Sequence, residues 1–303
     1  MEKEINNKIN NKINNNIIKV FLTVLFMVLF LTGAVPCFAK GISWRVTQYG
    51  DDHDAGQSMF YTIKGSNGKL IIVDGGWGGY HQRVRNIIKN NGGTVDLWII
   101  THPHPDHAGA FNRIYADPQG IKIRKIYAPK IDSARYNKYK RAWDDYPVYQ
   151  RFMSVISGSR KIKWLKAGDS LNFSGLTIDV FNSYSKNLRK TTKDICNGSS
   201  LVFKISGKKT SMLFTGDIPA KTGKRLIKTY GKKLRATYLQ APHHGNNTGR
   251  KSFFKYIRAK VTFVDAPSFL RNNYSAVREN LSIISRTGSK LYTYNNRKSV
   301  VIK

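Results

Sequence analysis

Residues 101–109 read Thr-His-Pro-His-Pro-Asp-His-Ala-Gly, and this stretch decides how the rest of the chain is read. Three of the chain's seven histidines, His102, His104 and His107, fall within it. Proline disfavours the helical region for the residue before it, so Pro103 and Pro105 push His102 and His104 toward extended backbone. The motif is therefore expected to be a loop that follows the apolar run 97–100, not a helix. In extended chain, residues two apart share a side, which lets His102 and His104 grip one ion together. Asp106 and His107, turned elsewhere by the loop, then face a second ion. A further pair, His243 and His244, lies in Ala241-Pro-His-His-Gly. Chance is a poor explanation for five histidines in two short motifs.

Around these motifs, short runs rich in β-branched and aromatic residues alternate with turn signals. Strands are expected at 44–48, 59–64, 70–73, 97–101, 121–128, 177–181, 200–205, 211–215, 237–240, 261–265, 290–294 and 299–302. Helices are expected at 80–91, which stops at Gly92, and at 219–230, which starts with Pro and stops at Gly231. Two more are expected at 252–258 and 276–286. Two series of strands, each followed by helices, predict a layered α/β protein with two sheets packed between helices.

The pattern H-x-H-x-D-H resembles the signature of the metallo-β-lactamase superfamily. Val73-Asp74-Gly-Gly looks like its strand-end Asp motif, Thr215-Gly-Asp217 like its bridging Asp, and His243-His244-Gly like its last metal-binding His. More narrowly, Asn197-Gly-Ser-Ser-Leu-Val-Phe, Leu213-Phe-Thr-Gly-Asp-Ile and Pro242-His-His-Gly are similar to the extracellular hydrolase domain of ComEC-type DNA-uptake proteins. The resemblance implies a four-layer αββα sandwich with two divalent metal ions, zinc or manganese, at one edge between the sheets. It implies that His102 and His104 hold one ion, and that Asp106, His107 and His244 hold the other, with His243 as the alternative. Asp217 bridges, and Asp74 orients the metal loop from behind the ligands. Asp106 and Asp217 are the catalytic candidates, Asp106 being placed to take a proton as well. No histidine lies between His107 and His243, so the first ion is one imidazole short, and Asn197 is the candidate replacement. Fewer imidazoles leave room for manganese, which tolerates oxygen ligands. The chain departs from the subgroup at Tyr49-Gly-Asp-Asp-His-Asp and at Asn273-Tyr-Ser.

Charge bears on the substrate. The 303 residues carry 51 Lys and Arg against 18 Asp and Glu, a formal balance of +33. Residues 1–39 have the three parts of a secretory signal: a basic Asn/Ile/Lys tract with Lys8, Lys12 and Lys19, an apolar run 20–35, and a small residue, Ala39, at the expected cut. The run is shorter than the roughly 20 residues of a spanning helix, so cleavage and secretion are expected over retention as a membrane anchor through 17–35. The remaining domain, 40–303, keeps +31, and 15 Lys or Arg fall between Lys204 and Lys260 against one acid, Asp217. Such a field concentrates polyanions, so nucleic acid, a wall polymer or an anionic membrane surface is the expected partner. Lys221, Lys224, Arg225, Lys228, Arg250 and Lys251 are the candidate contacts. Residues 135–143 interleave rings with cations, as a single-strand binding surface does. The reading that follows is a secreted phosphodiesterase or nuclease. The alternatives are a hydrolase of teichoic acid, phosphocholine esters, β-lactams or lactones, and a polyanion-binding module without turnover. Two cysteines, Cys37 and Cys196, exclude a disulfide scaffold.

Overall fold

The computed structural model describes residues 1, 14–21, 23, 41–50, 56–188, 192–246, 251–294 and 298–303. The chain divides into two units, Met1–Gly41 and Ile42–Lys303. In the first, residues 14–21 and 23 are helical, and residues 2–13, 22 and 24–39 of the expected signal segment lie outside the described residues. Among the described residues no helix is long and apolar enough to cross a membrane.

The second unit holds two seven-stranded sheets. The first contains β1 (Trp44–Gln48), β2 (Phe60–Gly65), β3 (Leu70–Asp74), β5 (Leu97–Ile99), β7 (Ile126–Pro129), β8 (Ile162–Leu165) and β16 (Ser299–Ile302), in the order β16-β1-β2-β3-β5-β7-β8. The second contains β9 (Ser170–Phe173), β10 (Leu176–Asn182), β11 (Val202–Ser206), β12 (Ser211–Phe214), β13 (Tyr238–Gln240), β14 (Val261–Val264) and β15 (Lys290–Thr293), in the order β15-β14-β13-β12-β11-β10-β9. A short pair, β4 (Thr94–Val95) and β6 (Lys122–Ile123), stands apart. The expected strand at 121–128 is thus two strands, broken between Ile123 and Ile126.

The alternation of side chains explains why these strands are apolar throughout. In β3, Ile71 and Val73 face the other sheet while Leu70 and Ile72 face helices. In β12, Met212 and Phe214 face inward while Leu213 faces helices. A strand covered on both faces needs apolar residues at every position, not at every second one. Helices His81–Asn90, Pro105–Ala116 and Tyr146–Val155 cover one sheet; Ala220–Tyr230, Lys251–Ile257 and Ser275–Arg286 cover the other. The result is the expected αββα sandwich.

In each sheet one half is antiparallel and the other parallel. The parallel halves position the site. Asp74 ends β3, residues 101–107 follow β5, Asp217 follows β12, His243 and His244 follow β13, and Asp265 follows β14. Side chains at the C-terminal ends of parallel strands from two facing sheets therefore meet at one edge.

One expectation fails here. The 101–109 motif is a loop only through His104; Pro105 opens the helix Pro105–Ala116, with His104 as its extended N-cap residue. Proline lacks only an N–H that the first helical turn leaves unused anyway, and its fixed φ suits that position. Asp106 and His107 thus sit in the first turn of this helix, while His102 and His104 precede it in extended chain. Gly109, one turn on, is required by packing: a Cβ there would lie 2.4 Å from the backbone nitrogen of Gly78.

Candidate metal centre

Four of the expected ligands converge. One ligand atom each from Asp106, His107, Asp217 and His244 lies within 4.8 Å of the others, and all four residues are buried. His244 Nε2 is 3.1 Å from both Asp106 Oδ2 and Asp217 Oδ2. His107 Nε2 is 3.3 Å from His244 Nε2 and 3.4 Å from Asp217 Oδ2. His243 is the outer member of its pair, with 27% of its side chain exposed and Nε2 3.8 Å from Asp217 Oδ2. The structure therefore brings in His244 and leaves His243 on the rim.

His102 and His104 form a second pair beside this cluster, with His102 Nε2 3.1 Å from His104 Nδ1. The rings of His102 and His107 are 4.0 Å apart between centroids.

Every inward histidine has its other nitrogen held. Asp74 is completely buried; its oxygens accept from the Thr101 N–H at 2.7 Å, the Thr101 hydroxyl at 2.6 Å and His107 Nδ1 at 2.7 Å. His244 Nδ1 donates to the Asp265 carbonyl at 2.9 Å. His102 Nδ1 lies 3.2 Å from the Thr101 hydroxyl. His104 Nε2 donates to Asp144 Oδ1 at 2.9 Å. Holding the far nitrogen sets which nitrogen carries a lone pair, and so aims it at the ion.

Backbone strain marks the same place. Asp74, His243 and His244 have φ of 55°, 50° and 55°, in the left-handed region that side chains disfavour. Gly216, at φ 50°, meets the needs of both conformation and space, since a Cβ there would stand 2.9 Å from the Ser200 side chain. The hydroxyl of Ser200 in turn accepts from the Asp217 N–H at 3.0 Å.

The electrostatics are those of a cation site holding protons instead. Burial opposes charge on His107, but Asp217, Asp106 and Asp74 outweigh it and lift its pKa well above the histidine range. Burial likewise opposes charge on His244, yet Asp217 and Asp106 push it up to about 10. Against the cost of burial, His107 and His244 hold the Asp106 carboxyl below its usual range, and His244, His107 and His243 do the same for Asp217. His102 differs: burial and the neighbouring imidazoles of His107 and His104 keep it well below the histidine range, hence neutral.

These residues fit divalent metal ions. Beyond the converging donors, Asp217 Oδ1 is buried without a hydrogen-bond partner, an orphan of the kind a coordinate bond relieves. Asn197 offers another: Nδ2 donates to Asp194 Oδ2 at 2.9 Å, which leaves Oδ1 buried and unpartnered.

The basic candidates divide. Lys221, Lys224 and Lys228 are exposed on the helix Ala220–Tyr230, whose start follows Asp217 by three residues, and Lys251 is exposed at the start of its own helix. Arg225 is half-buried and donates to Asn182 Oδ1 at 2.5 Å, so it is tied into the fold. Arg250 and residues 51–55 lie outside the described residues. Within 135–143 the stacking expectation fails at Tyr136, which is fully buried against Tyr146 and Tyr149. Trp143 remains exposed.

Sequence reasoning missed Asp144, Gln57, Thr101, Ser200 and the Asp265 carbonyl. Gln57 Nε2 donates to Asp106 Oδ2 at 2.8 Å. Asp265 could have been found as an acid ending an apolar strand, like Asp74. Asp144 carries no local signal of its role.

A two-sheet sandwich with a buried His/Asp cluster at its strand ends defines a class of metal-dependent hydrolases. Residues 53–152 match the family model of the Metallo-beta-lactamase superfamily. It is 33% identical over 79 residues to the Uncharacterized protein YcaI of Escherichia coli, a match covering 26% of this chain and 10% of that one. It is 24% identical over 230 residues to Recombination protein 2 of Haemophilus influenzae, covering 74% of this chain and 24% of that one. The chain thus spans a quarter or less of the length of these relatives. Among solved structures, the metallo-beta-lactamase fold protein YhfI from Bacillus subtilis superposes with a TM-score of 0.52 at 12% identity, covering 86% of this chain and all of that one.

Proposed function

We propose that the protein is a secreted phosphodiesterase acting on DNA or another polyanion with two divalent metal ions. The observation that carries this reading is the convergence of inward nitrogens and carboxylates whose outer atoms are all held. Asp106, His107, His244 and Asp217 would hold one ion. His102 and His104 would take the other, with Asn197 Oδ1 in place of the absent imidazole, and Asp217 Oδ1 is the oxygen available for a bridge. Such a pair supplies a nucleophilic water at neutral pH and neutralises charge on the phosphoryl oxygens.

This chain's residues supply the rest. Asp106, held below the carboxylate range, is a weak proton acceptor and serves as an anionic ligand steadied by Gln57. His243 faces the open rim, where burial lowers its pKa and leaves it neutral. Lys221, Lys224 and Lys228 line one face of a helix whose positive end lies toward Asp217, which favours an anionic polymer near the ions. The likeness to a protein named for recombination, a process of DNA, supports the same substrate class.

The test is a screen of DNA, RNA, bis-p-nitrophenyl phosphate and a chromogenic β-lactam, with and without chelator. The expected result is chelator-sensitive phosphodiester hydrolysis that Asp217→Ala abolishes. Hydrolysis of the β-lactam alone, or phosphodiester cleavage at the wild-type rate in Asp217→Ala, would overturn it.

A further inference from the structure

We infer that Asp144 is a positioning residue for the His102–His104 pair: a buried carboxylate, brought in by the β7–β8 crossover, that fixes which nitrogen of His104 meets the ion. The inference rests on the two-ion reading above.

Asp144 is completely buried in a chain where bases outnumber acids by 51 to 18. Burying a carboxylate is costly unless each oxygen is satisfied, so such a residue needs a reason. Its Oδ1 accepts from His104 Nε2 at 2.9 Å, and its Oδ2 accepts from the Arg141 backbone N–H at 2.5 Å. Both oxygens are therefore spoken for by donors on the protein, and neither is turned to a cation. With Nε2 donating outward, Nδ1 is the nitrogen of His104 left to meet an ion, and it lies 3.1 Å from His102 Nε2.

The crossover is built to keep Asp144 there. Tyr136, Tyr149, Ile131, Leu188 and Cys196 belong to a separate buried cluster, of which Tyr136 and Cys196 feel the charge of Asp144. The Tyr149 hydroxyl donates to the Ile131 carbonyl at 3.0 Å and the Tyr146 hydroxyl to the Ser133 carbonyl at 3.1 Å. These hydrogen bonds tie the helix Tyr146–Val155 to the segment that precedes it, and Asp144 lies between the two. The arrangement repeats what Asp74 does for His107. It matters more here, because this pair lacks a third imidazole and so depends on two well-aimed rings.

The experiment compares the full-length protein with Asp144→Asn and Asp144→Ala, measuring the affinity for each of two Zn²⁺ ions by competition with a chromophoric chelator. The weaker-held ion should be lost 10- to 100-fold more readily in Asp144→Ala, as for other outer carboxylates behind a ligand histidine, and by a smaller factor in Asp144→Asn, with the tighter ion unchanged in both. Asp144→Asn keeps the volume and can still accept from His104, so it guards against a variant that fails to fold. In a His104→Ala background, Asp144→Asn should produce no further loss, because its effect passes through that ring. Wild-type affinity for both ions in both variants, or an equal loss with His104 absent, would overturn the inference while leaving the two-ion reading intact. A wild-type protein that binds a single ion would overturn both.

Discussion

Loading the centre with metal should expel protons in a number set by the metal-free arrangement. His107 and His244 both carry protons at pH 7, one lifted well above the histidine range and the other to about 10. A ligating imidazole must be neutral, whereas Asp106 and Asp217 are already ionised and release nothing. An ion entering these four residues therefore displaces about two protons, so its affinity should rise about a hundredfold, or about 2.7 kcal/mol, for each unit of rising pH. The dependence should halve as pH passes about 10, where His244 is already neutral. An ion entering the other pair should displace fewer, since His102 is held neutral. Calorimetric titration with Zn²⁺ at pH 6 to 8, in buffers of differing ionisation enthalpy, counts the protons directly. Affinity that does not change with pH across this window would refute the placement of His107 and His244 as ligands.

The metal-free protein should lose stability in alkali: His244 is raised from 6.5 to about 10, so its contribution is complete below pH 6.5 and fades as pH climbs toward 10, and melting temperatures of the metal-free form should fall across that window while those of the loaded form hold. Gly216→Ala forces a Cβ toward Ser200 at a left-handed φ and should cost about 1–3 kcal/mol in urea unfolding. Phe214→Ala, at a fully buried ring 5.0 Å from Phe203, should cost about 3–5 kcal/mol by the same measurement. Replacing Lys221, Lys224 and Lys228 by Gln should flatten the salt dependence of DNA binding by about 0.7–0.9 for each phosphate left without its cation, while cleavage of a small diester stays unchanged; equal damage to both substrates would place the polymer elsewhere.

The sandwich was legible in the sequence because its central strands, such as Leu70–Asp74 and Ser211–Phe214, are apolar on both faces and are followed within two residues by glycine. The strands Ile162–Leu165 and Ser170–Phe173 escaped notice because only part of each is buried, which blurs the pattern. The helix after His104 was hidden by its own first residue, since proline reads as a breaker unless its place in the first turn is known. Residues 135–143 show the limit of composition. Rings among cations describe a nucleic-acid surface and equally a short helix with a buried aromatic stripe, and Tyr136 belongs to the second. Of the site, the ligands announced themselves as clustered histidines. The residues that aim them did not, because Asp144 and His104 are 40 positions apart and meet only through tertiary packing.

His107 and His244 stand 137 positions apart and follow strands of different sheets, yet their inner nitrogens are in contact distance. No fragment confined to the first sheet contains a complete set of donors, so an ion has little to hold until the two sheets have docked. Metal uptake should accordingly follow the docking of the two sheets. An ion held there would act as a staple across the seam, and pulling the halves apart would first require giving it up. Resistance to proteolysis should then track metal supply in the surroundings, with starvation marking the protein for removal as surely as a destabilising mutation would.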